Sequence, residues 1–205
     1  MLSFDPRSEG DLLRLIDEYP LAWVVSAGAA GFGATPLPLL AETDEAGRIV
    51  ALFGHFALSN PQVARLRESP RGTILFMGPN GYMSPEAVSK PGWAPTWNYV
   101  TAQFDVEIEF CPQENDQALE RLVTRMERDR RTPWTIAKMG ARYDLLKHRI
   151  VAFRAHVRST RGKFKLGQDE APQTLSELLG TLEDPTLVRW MKEFNATPVP
   201  TPIED

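Results

Sequence analysis

"TWNYVTAQFDVEIEF", residues 96–110, is the stretch on which the fold reading turns. From Val100 onward, Ala102, Phe104, Val106, Ile108 and Phe110 fall on one side and polar or acidic residues on the other. That period of two predicts a long strand with one buried face. The start of the stretch is less regular, because Thr96, Trp97, Asn98 and Tyr99 alternate only loosely. Trp and Tyr each join a large apolar body to one polar handle, and Asn adds an amide that both donates and accepts. Such a cluster suits a flat heteroaromatic ligand and equally suits the wall of a core.

Working outward, the strand sits among other short apolar runs. "LAWVVSA" at 21–27 and "TPLPLLAE" at 35–42 read as two strands joined by the Gly-rich turn "GAAGFG" at 28–33. "RIVALFGHF" at 48–56 reads as a third, "GTILFMG" at 72–78 as a buried one, and "RIVAFRAHVRST" at 149–160 as the last. Residues 79–95 hold four prolines and two glycines, which predicts an irregular loop.

Helices are expected around these strands. Ser8 is a candidate N-cap for a helix carrying Leu12, Leu15, Ile16 and Tyr19, ended by Pro20. A short helix at 59–68 takes Ser59 as its cap and Pro61 in its first turn. Leu119, Leu122, Val123 and Met126 form one apolar stripe over 113–131, and a second helical stretch covers roughly 133–148. Asp184 before Pro185 opens a last helix with Leu187, Val188, Met191 and Phe194. Strands joined by short turns, with helices grouped outside them, give an α+β domain built on a mainly antiparallel, closed or partly closed barrel. Residues 1–170 are expected to form that domain and 171–205 a helical extension packed on it.

Composition narrows the function. The 205 residues are 42% hydrophobic and 24% charged, enough to bury a core, and the net charge of -4 argues against a strongly basic nucleic-acid surface. Arg121, Arg125, Arg128, Arg130 and Arg131 are interleaved with Glu120, Glu127 and Asp129, the mixture of a solvated helix face. The single cysteine, Cys111, allows no intrachain disulfide and fits a reducing cytoplasm. No secretory signal is visible, and the uncharged run from Pro20 to Ala41 is too punctuated by Pro and Gly for a membrane helix. "GAAGFG" is not a dinucleotide fingerprint, no phosphate-loop or nucleophile-elbow motif occurs, and His55, His148 and His156 lack metal-type spacing.

Three blocks carry a resemblance when taken in order: "GHFALSNPQ" at 54–62, "APTWNYV" at 94–100 and "GKFKLGQD" at 162–169, with "LPLL" at 37–40 and Tyr82, Ser84 and Pro85 between them. They resemble the PaiB-like family of FMN-binding negative transcriptional regulators, over about residues 8 to 170. The resemblance implies a split β-barrel related to the pyridoxamine-phosphate-oxidase-like flavoproteins, a homodimer, and FMN at the subunit interface. It also implies a role as regulator or sensor, with DNA as a partner. A flavin-dependent oxidoreductase and a barrel with a degenerate site are the alternatives.

Carried onto this sequence, the resemblance assigns the phosphate to the corner formed by His55, Ser59, Asn60 and Gln62. Thr96, Trp97, Asn98 and Tyr99 would line the ring or ribityl region. Lys163, Lys165 and Gln168 would offer donors to the anionic or carbonyl edge. The same groups have plainer readings: Ser59 and Asn60 as a helix cap, His55 as a structural histidine, the lysines as an exposed basic turn. Leu58 stands where the family pattern has an arginine, Gly167 where it has a serine and Asp169 where it has an asparagine. None of these groups is an evident proton donor or nucleophile, so no catalytic residue is assigned and no metal is expected.

Overall fold

The computed structural model describes residues 4–28 and 31–196; Ala29 and Ala30 of the predicted hairpin turn lie outside the described residues. Seven strands make one sheet: β1 (Leu21–Gly28), β2 (Gly31–Pro38), β3 (Leu40–Thr43), β4 (Ile49–Ala57), β5 (Arg71–Met83), β6 (Thr96–Phe110) and β7 (Ile150–Lys165). Their order is β2-β1-β5-β6-β7-β4-β3. The pairs β1–β2, β1–β5, β3–β4 and β4–β7 are antiparallel. The helices are α1 (Glu9–Glu18), α2 (Pro61–Glu68), α3 (Asn115–Glu127), α4 (Arg142–Lys147), α5 (Pro172–Thr181) and α6 (Pro185–Asn195). This is the α+β split-barrel class, with helices at the periphery of an antiparallel sheet.

The chain divides into two compact units, and β5, β6 and β7 are each long enough to contribute residues to both. The larger unit comprises residues 6–76 and 102–161. Its core is aromatic: Phe53, Phe56, Phe76, Phe104 and Phe153 are all buried. Phe56 and Phe153 lie 4.9 Å apart between ring centroids, and Phe76 meets Phe104 edge-on at 5.8 Å. The alternation predicted from β6 holds here, since Ala102, Phe104, Val106 and Ile108 are buried. α1 adds Leu12, Leu15 and Ile16 to the buried set.

The smaller unit comprises residues 77–101 and 162–196 with Phe4 and Asp5. Phe164, Trp190 and Phe194 form its centre, with Phe164 5.5 Å from Phe194 and 5.9 Å from Trp190 between centroids. Asp184 caps α6 by accepting from the Thr186 amide, and Leu187, Trp190, Met191 and Phe194 are the buried face of that helix.

Four local expectations change. α2 is capped by Asn60 and not by Ser59, because the Asn60 carboxamide accepts from the Gln62 amide. The stretch expected as helix over 133–148 is a 3₁₀ turn at Ile136–Met139 followed by the short α4, with Gly140 at φ +56 between them. A positive φ cannot continue a right-handed helix. The second strand breaks at Leu39, whose amide donates to the Pro20 carbonyl, and resumes as β3. The loop expected from residue 79 begins only after Met83, because β5 carries on through Pro79.

Candidate functional site

The predicted site residues fall into the two units, and each group is built differently. In the larger unit, β4 ends at Ala57 and a tight turn follows, closed by Asn60 N–H donating to the Ala57 carbonyl at 2.9 Å. The turn delivers the start of α2. Asn60 Nδ2 donates to Thr35 Oγ1 at 2.9 Å, and Thr35 Oγ1 donates to Gln62 Oε1 at 2.7 Å. Gln62 Nε2 donates in turn to the Val24 carbonyl at 2.9 Å and to Ser26 Oγ at 3.0 Å. Asn60 and Gln62 therefore tie α2 to the β1–β2 hairpin. Gln62 is 2% exposed, with both ends of its amide engaged by the protein.

This arrangement decides what an anion could find there. Pro61 has no N–H, the Gln62 amide is taken by the Asn60 side chain, and the Val63 amide donates to the Asn60 carbonyl. Little of the helix N-terminus is left to receive a phosphate. Ser59 and Leu58 are exposed in the turn. Arg65, one turn into α2, donates to the Phe32 carbonyl at 2.8 Å. His55 is partly buried, and its Nδ1 is a buried atom with no hydrogen-bond partner among the described residues. Burial lowers the His55 pKa, which leaves a neutral imidazole with one nitrogen unengaged.

In the smaller unit, β6 begins with its side chains on alternate faces. Asn98 is 2% exposed, its Nδ2 3.7 Å from Met191 Sδ on α6. Trp97 is 52% exposed on the other face, with Tyr82 of β5, itself 51% exposed, at 6.2 Å between centroids. Tyr99 is half-buried. Lys165 donates its ammonium to Thr96 Oγ1, and the exposed Lys163 lies over the Phe4 ring at 6.0 Å. Gln168 closes its own turn: Oε1 accepts from the Leu166 amide at 2.7 Å and Nε2 donates to the Phe164 carbonyl at 2.6 Å.

The second and third sequence blocks thus meet in this unit, through Thr96 with Lys165 and through Asn98 beside Gly167. Gly167 adopts φ +86, and a Cβ there would stand 3.0 Å from Leu175 Cδ1 and 3.7 Å from Asn98 Nδ2. The glycine in place of the pattern's serine follows from that backbone. The loop after β5 is tied down by two carboxylates. Trp93 Nε1 donates to the Glu170 carboxylate at 3.0 Å, and the Ser89 amide donates to Glu177 Oε2 at 2.8 Å. Tyr82 is the group absent from the predicted site set; the β5 alternation that buries Ile74, Phe76 and Gly78 would put residue 82 on the buried face, but its phase shifts at the buried Pro79 and leaves Tyr82 exposed.

The residues sort by chemistry. Asn60, Gln62 and Gln168 have their amides engaged within the protein, and Asn98 is buried against Met191. His55, Ser59, Trp97, Tyr99, Lys163 and Lys165, with Thr96 next to Lys165, keep a surface or an atom that a ligand could meet.

The profile of the family described as "Putative FMN-binding domain" matches residues 2–159. The chain belongs to that family. FMN is the cofactor this membership assigns, and the matched range includes the first two sequence blocks but ends before Lys163, Lys165 and Gln168. No curated protein matches the sequence. Among solved structures, the FAD and heme binding protein from Mycobacterium smegmatis is similar at TM-score 0.60 and 16% identity, covering 80% of this chain and 75% of its own. The flavocytochrome Anf3 from Azotobacter vinelandii is similar at TM-score 0.58 and 12% identity, covering 80% and 70%. The conserved hypothetical protein Rv2991 from Mycobacterium tuberculosis is similar at TM-score 0.55 and 14% identity, covering 80% and 89%. At these identities the likeness is one of fold.

FMN needs a surface for a flat ring, donors for carbonyl and ribityl oxygens, and positive or N–H groups for a phosphate of nearly two negative charges. In the smaller unit the residues present fit the ring and the donors, with two half-exposed aromatics and two lysines; in the larger unit His55 has an orphaned nitrogen. The phosphate is fitted less fully, since the Leu58 position offers no charge and α2's first amides are committed.

Proposed function

We propose that this chain is a homodimeric FMN-binding split-barrel flavoprotein whose flavin is held by the Trp97 region and Lys165. The observation that carries this is the half-exposed Trp97–Tyr82 pair at the start of β6, on the strand where Thr96 receives the Lys165 ammonium. Large apolar side chains left exposed side by side need a partner, and a flat heteroaromatic ring is one they match. Lys165 brings its ammonium to Thr96 Oγ1, on the residue before Trp97, a positive charge suited to the electron-rich edge of such a ring. In the larger unit, His55 with its unengaged Nδ1 and the exposed Ser59 are separate candidate donors.

Bound FMN supplies hydride and electron transfer, and the protein's part is to bind and orient it. Trp97 and Tyr99 would position the ring, and Thr96 would fix the Lys165 ammonium. No side chain here is arranged as a nucleophile or a general acid, so catalysis, if the chain is an oxidoreductase, belongs to the cofactor.

The regulator reading finds less support. The arginines of α3 and its C-cap are engaged with carboxylates: Arg121 with Glu42, Arg125 and Arg128 with Asp17. Arg158 pairs with Glu107 and Arg161 with Asp105 along β6 and β7. A phosphate backbone would have to displace those partners.

Flavin titration of the wild type and of Trp97→Ala and Lys165→Ala tests the proposal. Each variant should bind FMN more weakly with unchanged melting. Unaltered affinity in both would remove this face from the site. Rapid reduction of the bound flavin by NADH or NADPH would favour the oxidoreductase over the sensor.

A further inference from the structure

The β1–β2 hairpin has a composition that its position alone does not explain. In a chain that is 24% charged, residues 21 to 38 contain no charged side chain. One face of the hairpin is accounted for, since Ala22, Val24 and Ser26 are buried. The other face is not. Leu21 is 62% exposed, Trp23 50% and Phe32 69%. The register sets Trp23 opposite Pro36 on one side and Leu75 of β5 on the other, and Leu75 is 39% exposed. Leu21, Trp23, Phe32, Pro36 and Leu75 therefore share one face of three adjacent strands.

A solvated sheet face carries polar residues, so an apolar one of this kind marks an interface. Its edge is closed to strand addition: β2 is the last strand on its side, and Pro36 and Pro38 remove two N–H groups from it. A partner must come onto the face.

We infer that this face is the seam of the homodimer, packed against its own copy about a two-fold axis, an assignment that rests on the homodimer reading above. The lack of charge selects the partner. In an isologous contact every side chain near the axis meets its own kind, so a charge there would face itself. A heterologous protein partner would favour a patch with charges to set register, and β1 and β2 supply none. The area is of the right order. Taking about 150–250 Å² for a large side chain, Leu21, Trp23, Phe32 and Leu75 present roughly 400 Å². A standard interface takes about 800 Å² from each partner, and the small residues of the same face, Val25 and Ala34 among them, extend the patch.

The test is the mass of the full chain in solution, by light scattering and sedimentation, for wild type, Trp23→Glu and Leu145→Glu. Leu145 is 69% exposed on α4 and lies off this face. Wild type and Leu145→Glu should run at twice the chain mass. Trp23→Glu should run as a folded monomer with the wild-type far-ultraviolet spectrum, its dissociation constant raised by at least about a hundredfold. A second variant, Trp23→Cys with Cys111→Ser, should form an intermolecular disulfide on mild oxidation, which reports the contact without needing it to break. A dimer that survives Trp23→Glu and yields no crosslink would overturn the assignment of the face and leave the homodimer standing. A monomeric wild type would overturn both, and flotation of that monomer with phosphatidylcholine vesicles would give the face to lipid.

Discussion

Replacing Gln62 with leucine should destabilise the protein while leaving its flavin affinity nearly unchanged. The side chain is 2% exposed, so a ligand has little access to it. It accepts from Thr35 Oγ1 at 2.7 Å and donates to the Val24 carbonyl at 2.9 Å and Ser26 Oγ at 3.0 Å. Leucine keeps the approximate volume and removes all three bonds. At about 1 kcal/mol net for each, with Thr35 and Ser26 left short of a partner, the loss should be about 3 kcal/mol. Urea unfolding should show the midpoint falling with an unchanged m value, since the surface exposed on unfolding is the same. FMN affinity, measured below the transition, should stay within about threefold, a difference of under about 1 kcal/mol. A variant of wild-type stability that has lost FMN would contradict a purely structural role for Gln62. It would make Gln62 a ligand group whose contacts in the free protein are incidental.

Other outcomes follow from the same geometry. Leu58→Arg puts a guanidinium in the exposed turn before α2; a charge-assisted phosphate contact of about 1.5–3 kcal/mol should tighten FMN about ten- to a hundredfold and leave riboflavin unaffected. Equal gains for both ligands would move the phosphate elsewhere. Gly167→Ala should lower stability by about 1–2 kcal/mol, because φ +86 is costly for any residue with a Cβ and Leu175 Cδ1 stands 3.0 Å away; a neutral thermal melt would contradict the turn. Burial raises the Glu42 carboxyl, but hydrogen bonds and charge from Arg154 and Arg121 outweigh it and hold it below the usual range. Its contribution to stability is present above the unfolded carboxylate pKa, about 4.3, and is lost as pH falls through the lower folded value. Glu42→Gln should therefore flatten the acid side of the stability profile, and an unchanged acid limb would show that the pair contributes nothing.

How far the sequence could be read depended on how local each feature was. The β6 strand was legible because one alternation runs unbroken from Val100 to Ile108, and each of its apolar members is buried. The same alternation, extended two residues back, puts Asn98 on the buried face, a signal present in the sequence but masked by the aromatics around it. The cap of α2 was misassigned by one residue because Ser59 and Asn60 are both competent caps and only the turn geometry chooses. β3 was hidden by its four-residue length and the break at Leu39. The fate of Gln62 was not legible at all, since its partners lie 27 to 38 positions away. Polar residues fixed by such distant bonds look identical in sequence to polar residues waiting for a ligand.

Flavin binding by the purified chain is the decisive measurement. Protein freed of any flavin is titrated with FMN and, separately, with riboflavin, following flavin fluorescence and the visible absorption band. The account predicts saturable binding of one FMN per chain, with affinity falling about two- to tenfold in Trp97→Ala, the range set by about 0.5–1.5 kcal/mol for an aromatic contact. No saturable FMN binding by a folded wild-type chain would contradict it.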